Sequence, residues 1–588
     1  MHTFLMRRLG HSLLVALLVT GCSRPPTPVS PLVPTVGKRV EGARGVVSAS
    51  HPDAARAGGE ILAAGGNAAD AAAAVAFALA VVDPSQTGLG GGGVATIYSA
   101  ATRRADVLQF YARSGSDPRW GARDSTPPVA GQSGRDAGVP GAVRGILQLQ
   151  AQWGRLDRAR VMAPAIRLAR DGFIVSPLLS RTIASARSKL MADSVAGARY
   201  LPGGEPLQAG DRLVQPELGT LLEQIAGNGG DAFYGGGFAS RLSAEVQRRG
   251  GYITVGDMAR YRTRVERPVC GSFGDFQVLG AGPSMGGMTV VEGLMALDAT
   301  RATGGDGDHA RSVPAARAMT SALRLAQYDT RGYGGDPDVV GLASPMRGFS
   351  NAAFVAARVQ RPIVDSTAAS AAWRADGEAP SAGCRALDPY PSAPVTAAPG
   401  TAPRDEESAP VSQTSHLSVV DAEGNAVGLT YTVGTLFGSG VYVDGVFLNS
   451  GGSNFNARTR GPDRFANSTI APTVIVDQRG VRLVVGAGGS QYIPTSVTQV
   501  AWRILALGAD PWLAIASPRL QPSGTSRDIE MEPGFAPEIY AAMRADGYKV
   551  ISRVGDLMFG GVHLVYVAPN GVRIGAADPR RDGMAVVQ

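Results

Sequence analysis

Hydrophobic and polar residues alternate between residues 413 and 433, and a polar turn divides this stretch into two halves. Residues 413–421 and 426–433 are each predicted to form a β-strand, because successive side chains of a strand point to opposite faces. Residues 422–425 lie between them and contain the Gly and Asn that are typical of a hairpin turn. The pattern predicts a β-hairpin with one apolar and one polar face.

A turn centred near Glu423 sets the register of this hairpin. It pairs Leu417 with Leu429 on the apolar face, and it places Thr414 beside Thr432 on the polar face. Two neighbouring hydroxyls are candidate catalytic groups. Because Thr is common in strands, an ordinary Thr-rich hairpin is the alternative interpretation.

Helices and strands are also predicted on both sides of the hairpin. Residues 68–82 form an Ala-rich helix that we expect to be buried, because it is too short to cross a bilayer. Four consecutive glycines at 90–93 indicate tight backbone packing; no Gly-Lys-Ser/Thr follows them, which disfavours a phosphate loop. The other predicted elements are helices over 55–64, 143–170, 215–250 and 288–297 and strands over 45–50, 94–98 and 105–111.

The first residues have the composition of a targeting segment. A pair of arginines precedes an apolar run at 13–19, and small residues lead to Cys22, as in a secretory signal. The Cys after these small residues resembles a bacterial lipoprotein signal, and a plain signal peptide is the alternative. We expect a signal peptide at 1–21, a Pro-rich tether at 22–45 and lipidation of Cys22. The signal implies export to the bacterial periplasm, and the resemblance to lipoproteins implies that Ser23, in place of Asp after the Cys, favours an outer-membrane anchor.

Composition limits the remaining possibilities. The chain has 588 residues, 44% of them hydrophobic and 18% charged, which indicates a globular protein with an ample core. The net charge is +7, but the basic residues form no cluster interleaved with aromatics, so nucleic-acid binding is not expected. Six scattered histidines predict no metal site, and no cofactor is expected. Whether Cys270 and Cys384 form a disulfide stays open.

The segment before the hairpin, residues 365–413, is rich in Ala, Pro and Ser, a composition that favours a flexible chain. A flexible segment that runs into a strand beginning with Thr suggests a cleavage point. Cleavage between Gln413 and Thr414 frees the α-amine of Thr414. Such an amine has a pKa of about 7.7–8.0 and can act as a base near neutral pH. Thr414 is therefore a candidate N-terminal nucleophile that its own amine activates.

Two motifs carry a family resemblance. Thr-Ser-His-Leu-Ser-Val-Val-Asp from Thr414, followed by Gly-Asn-Ala-Val and Thr-Tyr-Thr, resembles the start of the small subunit of the γ-glutamyltransferases, which are self-cleaving N-terminal nucleophile hydrolases. The run Asp-Pro-x-x-x-Gly-x-Gly-Gly-Gly-Gly from Asp83 resembles the opening of their large subunit. The resemblance implies an α+β fold, a four-layer αββα sandwich. It implies a heterodimer of fragments from one precursor, with the large-subunit body at 46–364 and the small subunit at 414–588.

The resemblance also implies roles for single residues. Thr432 is expected to orient the amine or hydroxyl of Thr414. The amides of Gly488 and Gly489 are expected to form an oxyanion hole, which a backbone without side chains can approach closely. Arg113 is expected to hold the α-carboxylate of the glutamyl group, because a guanidinium binds a carboxylate bidentately. A surface Arg is the alternative for Arg113.

Other expected contacts concern the rest of the substrate. Ser468 and Thr469 match paired hydroxyls that contact the same carboxylate in the family. Asn454 and Gly451 stand where the family commonly has Asp and either Gln or Glu, which bind the substrate ammonium. Gly434 stands where the family often has Asn. These departures concern substrate recognition and leave the expected nucleophile unchanged.

The resemblance implies a self-cleaving γ-glutamyltransferase or glutathione hydrolase. It would form a γ-glutamyl ester on its Thr and pass the acyl group to water, an amino acid or a peptide. The expected partner is a small γ-glutamyl substrate such as glutathione. One alternative is a related acylase of the cephalosporin-acylase type that uses glutaryl or other acyl amides. A second alternative, from a different class, is a lipid-tethered binding protein without catalysis.

Overall fold

The hairpin lies inside an eight-stranded antiparallel sheet of the computed structural model. Its strands are Ser412–Val420 and Ala426–Thr435, close to the predicted bounds. The structure describes residues 35–120, 133–282, 284–301, 307–333, 336, 352–359, 412–455, 461–553 and 557–588.

The described residues contain runs of strands and runs of helices. The strands, numbered β1 to β22 in chain order, are Thr35–Gly37, Arg39–Gly42, Val46–Ala49, Gly92–Ser99, Arg104–Phe110, Phe173–Ile174, Arg212–Leu213, Arg264–Glu266, Val269–Phe273, Phe276–Gly280, Ser412–Val420, Ala426–Thr435, Tyr442–Val443, Val446–Phe447, Thr473–Asp477, Gly480–Gly488, Leu520–Pro522, Asp528–Met531, Lys549–Ser552, Gly561–Val567, Arg573–Ala577 and Met584–Val587. The helices, numbered α1 to α17, are Pro52–Ala63, Ala68–Val82, Ala142–Trp153, Arg158–Asp171, Pro177–Ser185, Arg187–Met191, Ser194–Tyr200, Pro216–Asn228, Asp231–Tyr234, Gly236–Arg248, Val255–Arg260, Gly287–Arg301, Val313–Tyr333, Ala352–Val359, Ile493–Leu505, Pro511–Ala516 and Pro537–Ala545.

Two antiparallel sheets pack face to face. The first has the strand order β1-β22-β3-β11-β12-β4-β5-β8, and the second has the order β2-β21-β20-β16-β15-β10-β9. Strand β11 contacts β16 and β20, and β12 contacts β16, across the interface between the sheets. Residues before and after the Gln413–Thr414 bond contribute strands to both sheets.

Helices cover the outer face of each sheet. Helix α2 packs on β11 and β12, while α12 packs on β9 and β10 of the other sheet. All fifteen residues of α2 are buried, as its continuous apolar composition predicts. The layers follow the order helix, sheet, sheet, helix, so the predicted α+β αββα sandwich is confirmed.

The register predicted for the hairpin is confirmed from Ser415 to Val420 and is wrong at Thr414. A β-bulge shifts the pairing, so that Gln413 lies opposite Gly434 while Ser415 lies opposite Tyr431. Thr414 therefore faces two residues of β12 and is not a simple partner of Thr432. Bulges of this kind redirect side chains and are common beside active sites.

The four glycines at 90–93 pack against the hairpin and its surroundings, as predicted. A Cβ added to Gly91 would lie 2.4 Å from the carbonyl oxygen of Thr432, and one on Gly93 would lie 2.5 Å from that of Thr430. Such distances are shorter than real Cβ contacts, so only glycine allows this approach of β4 to β12.

The first strands of the sandwich lie earlier in the chain than the expected start of the large-subunit body at residue 46. Strands β1 and β2 lie at residues that we expected to belong to the tether at 22–45, and they pair with β22 and β21. The sandwich thus begins about ten residues earlier than expected. The signal peptide at 1–21, Cys22 and most of the segment at 365–413 lie outside the described residues.

Three further observations bear on the sequence expectations. Cys270 is buried and disulfide-bonded, and Cys384 lies outside the described residues. No helix in the described ranges is long and apolar enough to span a membrane. Those same ranges hold no group of three or more His, Cys, Asp or Glu side chains arranged to bind a metal ion.

Candidate active site

The peptide bond between Gln413 and Thr414 lies within strand β11, and both residues are buried. The hydroxyl of Thr432 donates a hydrogen bond of 2.5 Å to the carbonyl oxygen of Gln413. That hydroxyl also accepts a 2.7 Å hydrogen bond from the backbone N–H of Gly434. The N–H thereby orients the Thr432 hydroxyl toward the carbonyl, which polarises the bond that precedes Thr414.

Of the two glycines predicted for the oxyanion hole, Gly488 lies next to Thr414. Gly488 ends strand β16, and a Cβ at this position would lie 1.9 Å from the carbonyl oxygen of Thr414. Gly489 has φ of +129°, and a Cβ there would lie 2.6 Å from the carbonyl oxygen of Met558. Both positions therefore require glycine, and Gly488 brings the backbone of β16 close to Thr414. Their role in stabilising an oxyanion stays a prediction.

His416 is the nearest imidazole in sequence to Thr414, yet its ring is used elsewhere. Its two nitrogens lie 2.7 Å from the Thr430 hydroxyl and 2.9 Å from the Ser418 hydroxyl, between the two sheets. Burial lowers the pKa of His416 well below its ordinary value. Gly486 makes room for the ring, because a Cβ there would lie 2.4 Å from it. His416 is thus a neutral structural group, which leaves the α-amine of Thr414 as the candidate base.

Arg581 and Asp83 form hydrogen bonds with residues around the cleavage point. The sequence did not predict either of them as a site residue. Arg581 Nη2 donates to the side-chain oxygen of Gln413 at 2.9 Å, and Nη1 lies 3.3 Å from the carbonyl oxygen of Thr414. Asp83 accepts a 2.6 Å hydrogen bond from the Ser415 hydroxyl. Burial raises the pKa of Asp83 to about 7 and lowers that of Arg581, and each opposes the shift of the other. We call Thr414, Thr432, Gly488 and Arg581 the nucleophile wall.

Asn454 and Ser468 are brought together by Tyr111, a second residue that the sequence reasoning missed. Asn454 Nδ2 donates to the Tyr111 hydroxyl at 2.9 Å, and the Ser468 side chain lies close enough to the same hydroxyl to lower its pKa slightly. Burial raises the pKa of Tyr111, so it stays neutral. Thr469 extends this wall toward the glycine pair, because its hydroxyl donates to the Ser490 carbonyl at 2.8 Å. We call Tyr111, Asn454, Ser468 and Thr469 the acyl wall.

Arg113 makes different contacts from those expected of a substrate clamp. Its guanidinium lies 4.5 Å over the ring of Phe465 and donates to the Asp463 carbonyl at 2.5 Å. Within the described residues, its side-chain contacts are thus with the loop around Asp463. Its predicted role stays a prediction, and Tyr111 is the side chain that contacts Asn454 and Ser468.

The structure also explains the glycines at two of the family's substrate positions. Gly434 has φ of +90°, and a Cβ there would lie 2.3 Å from the Ser450 hydroxyl. A Cβ at Gly451 would lie 2.6 Å from that of Ala112. Neither position has room for the Asn, Gln or Glu common in the family. The acyl wall therefore offers hydroxyl and amide groups where a charged side chain was expected.

Comparison with known proteins places the chain in a family. The family model described as gamma-glutamyltranspeptidase matches residues 54–588. A glutathione hydrolase proenzyme from Escherichia coli (strain K12) is 32% identical, covering 98% of this chain and 98% of its own. An acylase ACY 1 proenzyme from Pseudomonas sp. (strain SE83) is 30% identical, covering 93% of this chain and 94% of its own.

A solved structure agrees with this placement. The crystal structure of a cephalosporin acylase from Bacillus halodurans superposes with a TM-score of 0.78 at 25% identity, covering 96% of this chain and 98% of its own. The match covers both sheets and both sides of the Gln413–Thr414 bond. The chain belongs to the γ-glutamyltranspeptidase family.

Proposed function

We propose that this protein cleaves itself between Gln413 and Thr414 and then hydrolyses or transfers γ-glutamyl groups through Thr414. The observation that carries the proposal is the Thr432 hydroxyl, which lies 2.5 Å from the Gln413 carbonyl oxygen immediately before Thr414. A hydrogen-bond donor on a carbonyl oxygen stabilises the charge that develops there during nucleophilic attack.

Self-cleavage uses the Thr414 hydroxyl as the attacking group. Its oxygen bonds to the carbonyl carbon of Gln413, the carbon–nitrogen bond breaks, and the hydroxyl proton passes to the released amine. Water then hydrolyses the resulting ester. The products are a carboxylate at Gln413 and a free amino-terminal Thr414, with one water consumed.

Thr414 then has both functions that acyl transfer requires. Its amine takes the hydroxyl proton, and its oxygen attacks the amide carbonyl of the donor. The adjoining backbone at Gly488 and Gly489 is the candidate oxyanion hole, and a single donor in such a site contributes about 2.7–4 kcal/mol. Water or an amine then takes the acyl group from Thr414.

Relatives named glutathione hydrolase proenzymes favour glutathione or a related γ-glutamyl amide as the donor. In the acyl wall, the Ser468 hydroxyl is a neutral group that can turn to donate to the donor's carboxylate, whereas the Thr469 hydroxyl donates to the Ser490 carbonyl in this structure. The word proenzyme in these names also supports a precursor that matures into two bound fragments.

One observation favours a second candidate donor, an acyl amide without the α-ammonium group, such as a glutaryl amide. Asn454 is neutral, and its amide is already hydrogen-bonded to Tyr111. Because the Tyr111 oxygen accepts from Asn454, its own O–H can donate to a carboxylate. A site that lacks a charge partner for a buried ammonium loses about 2–5 kcal/mol of binding. The acylase relative at 30% identity is in line with this candidate.

A gel and a mass measurement test self-cleavage. The purified protein should separate into fragments of about 40 and 18 kDa, in proportion to the lengths of residues 22–413 and 414–588 within a 60.5 kDa chain. The smaller fragment should begin at Thr414, and the Thr414→Ala variant should stay as one chain. An intact wild-type chain would contradict the proposal and favour a binding protein without catalysis.

Kinetics with γ-glutamyl and glutaryl anilides then separate the two donors. Release of the anilide from the γ-glutamyl compound is the expected result. Turnover of the glutaryl compound alone would overturn the γ-glutamyl assignment and support the second candidate.

The amino-terminal motif supports a separate proposal of export and lipid attachment at Cys22, with outer-membrane anchoring on the periplasmic side. Labelled palmitate fed to expressing bacteria should enter the wild-type protein and not the Cys22→Ala variant. Equal labelling of both would contradict the anchor, and absence of label from both would favour a plain signal peptide.

A further inference from the structure

A buried guanidinium lies across the peptide bond that self-cleavage would break. Arg581 is 5% exposed and contacts the residues on both sides of that bond. One end of the guanidinium binds the side chain of Gln413 at 2.9 Å, and the other lies 3.3 Å from the Thr414 carbonyl oxygen. Because a guanidinium is planar and rigid, two such contacts fix the two residues relative to each other.

Paired glycines make the space that this side chain occupies. Gly488 and Gly561 are partners in the ladder between β16 and β20. A Cβ at Gly561 would lie 2.3 Å from Cδ of Arg581, and one at Gly488 would lie 3.2 Å from Nη1. The end of this sheet thus has room for the Arg581 side chain only because both positions are glycine.

A chain of hydrogen bonds continues from Arg581 back to the strand that carries the bond. Arg581 Nη1 donates to the side-chain oxygen of Gln86, whose Nε2 donates to Asp83 at 2.9 Å. Asp83 in turn accepts from the Ser415 hydroxyl at 2.6 Å. The network therefore holds three consecutive residues, from Gln413 to Ser415, by groups that lie outside the hairpin.

This arrangement suits an intramolecular attack. The Thr414 oxygen must reach the Gln413 carbonyl carbon, and misplacement of reacting atoms by about 1 Å can slow a reaction about 100-fold. Thr432 holds the carbonyl oxygen of Gln413, while Arg581 holds the Gln413 side chain and the Thr414 carbonyl. Strand pairing cannot do this alone, because the bulge interrupts the ladder at Thr414.

We propose that Arg581 is a positioning residue for self-cleavage, which holds Gln413 and Thr414 in the geometry of attack through its contact with the Gln413 side chain. The proposal rests on the self-cleavage proposed above. Arg581 neither gives nor takes a proton. The bond from the Thr414 oxygen to the Gln413 carbon forms as the carbon–nitrogen bond breaks, with the balance already described.

A double-mutant cycle on the rate of cleavage tests this role. Precursor is made by rapid cell-free synthesis, and its conversion to fragments is followed by gel and intact mass. Arg581→Met removes both contacts, and Gln413→Ala removes one and leaves Arg581 in place. We expect Arg581→Met to cleave about 100-fold more slowly than wild type, with a smaller decrease for Gln413→Ala. Because the two changes remove a shared contact, the double variant should be no slower than Arg581→Met.

Arg503→Met is the matched control, since Arg503 is equally buried and forms an ion pair with Asp308 at 3.2 Å. It should lower thermal stability and leave the cleavage rate near that of wild type. Arg581→Lys keeps the charge but cannot bridge two oxygens in the same way, and its cleavage rate should be intermediate. If Arg581→Met does not fold, the slower cleavage of Gln413→Ala and Arg581→Lys still tests the proposal.

Three outcomes would overturn the role of Arg581. In the first, Arg581→Met cleaves at the wild-type rate, and in the second, Arg503→Met cleaves as slowly as Arg581→Met. In the third, the decreases in cleavage rate of Arg581→Met and Gln413→Ala multiply in the double variant, so that it is slower than Arg581→Met. Failure of the wild-type protein to cleave is a different result. It would remove the proposed function itself, and it is seen in the same gel before any variant is compared.

Discussion

The nucleophile wall and the acyl wall are held in place by different means. Thr414 and Thr432 are buried on central strands of a sheet. Gly488 packs so closely against Thr414 that position 488 has no room for a side chain. Asn454 lies on a short turn, Gly451–Asn454, and Thr469 is exposed. The difference teaches that packing fixes the nucleophile wall, while Asn454 and Thr469 of the acyl wall lie where a side chain can change without disturbing the sheets.

Replacing Gly488 with alanine should have the largest effect on self-cleavage, because the added methyl group would clash with Thr414 in the nucleophile wall. The added Cβ would lie 1.9 Å from the Thr414 carbonyl oxygen, so the strands must separate. We expect Gly488→Ala to abolish cleavage, measured by gel. Gly227→Ala is the matched control, since a Cβ there meets nothing within 4 Å. Wild-type cleavage in Gly488→Ala would show that the strands at Gly488 and Thr414 can accommodate a methyl group, which would contradict the tight packing of the nucleophile wall.

The pH dependence of stability should reveal the buried Asp83 beneath the same wall. Its pKa of about 7 in the folded protein exceeds the ordinary value of 3.8, because burial disfavours the charged form. Arg581 opposes this shift and Asp582 adds to it. Between these two pH values the folded state keeps a proton that the unfolded state has lost, so stability falls as pH rises through this window and then levels.

Asp83→Asn removes this titration while keeping a group that can bond Ser415 and Gln86. In the Thr414→Ala background, which keeps one chain, the difference in unfolding free energy between the two proteins should grow from pH 4 to pH 7. The change is at most about 4 kcal/mol, since one pKa unit corresponds to about 1.4 kcal/mol. A difference that does not vary with pH would mean that Asp83 titrates normally.

Removing the Thr432 hydroxyl should slow cleavage by about 100- to 1000-fold, the effect of losing one donor to a developing oxyanion. Thr432→Val keeps the shape of the side chain and removes the hydrogen bond to the Gln413 carbonyl. Thr432→Ser keeps the hydroxyl and should cleave at nearly the wild-type rate. Equal rates for the valine and serine variants would exclude the hydroxyl as the active element.

The two walls also differ in how far the sequence predicts them. The hairpin is predicted within two residues, because strand alternation and turn chemistry are local properties. The bulge at Thr414 leaves no trace in that alternation. Arg581 lies 167 residues after Thr414 in the sequence, so only the tertiary fold brings the two residues into contact. On the acyl wall, strand β5 ends at Phe110. The alternation of side chains in a strand therefore does not extend to Tyr111 and Arg113, and the sequence does not show which of the two contacts Asn454.

Asn454→Asp should have the smallest of these effects and should act on the acyl wall alone. A carboxylate at this position adds a charge partner for the α-ammonium of a γ-glutamyl donor, and it can accept the O–H of Tyr111. We expect kcat/KM for the γ-glutamyl anilide to rise about tenfold relative to the glutaryl anilide, equivalent to about 1.4 kcal/mol. The rate of self-cleavage should not change, because Asn454 contacts neither Gln413 nor Thr414 in the described structure.

Asn570→Asp controls for the added charge, since Asn570 lies in an exposed turn where its side-chain oxygen accepts from Val572. It should leave the ratio of the two donors unchanged. A slower self-cleavage in Asn454→Asp would show that the walls are coupled, which would contradict their independence. An unchanged donor ratio with normal cleavage would mean that the ammonium lies elsewhere, and it would leave Tyr111 and Ser468 as the groups that contact the acyl end of the donor.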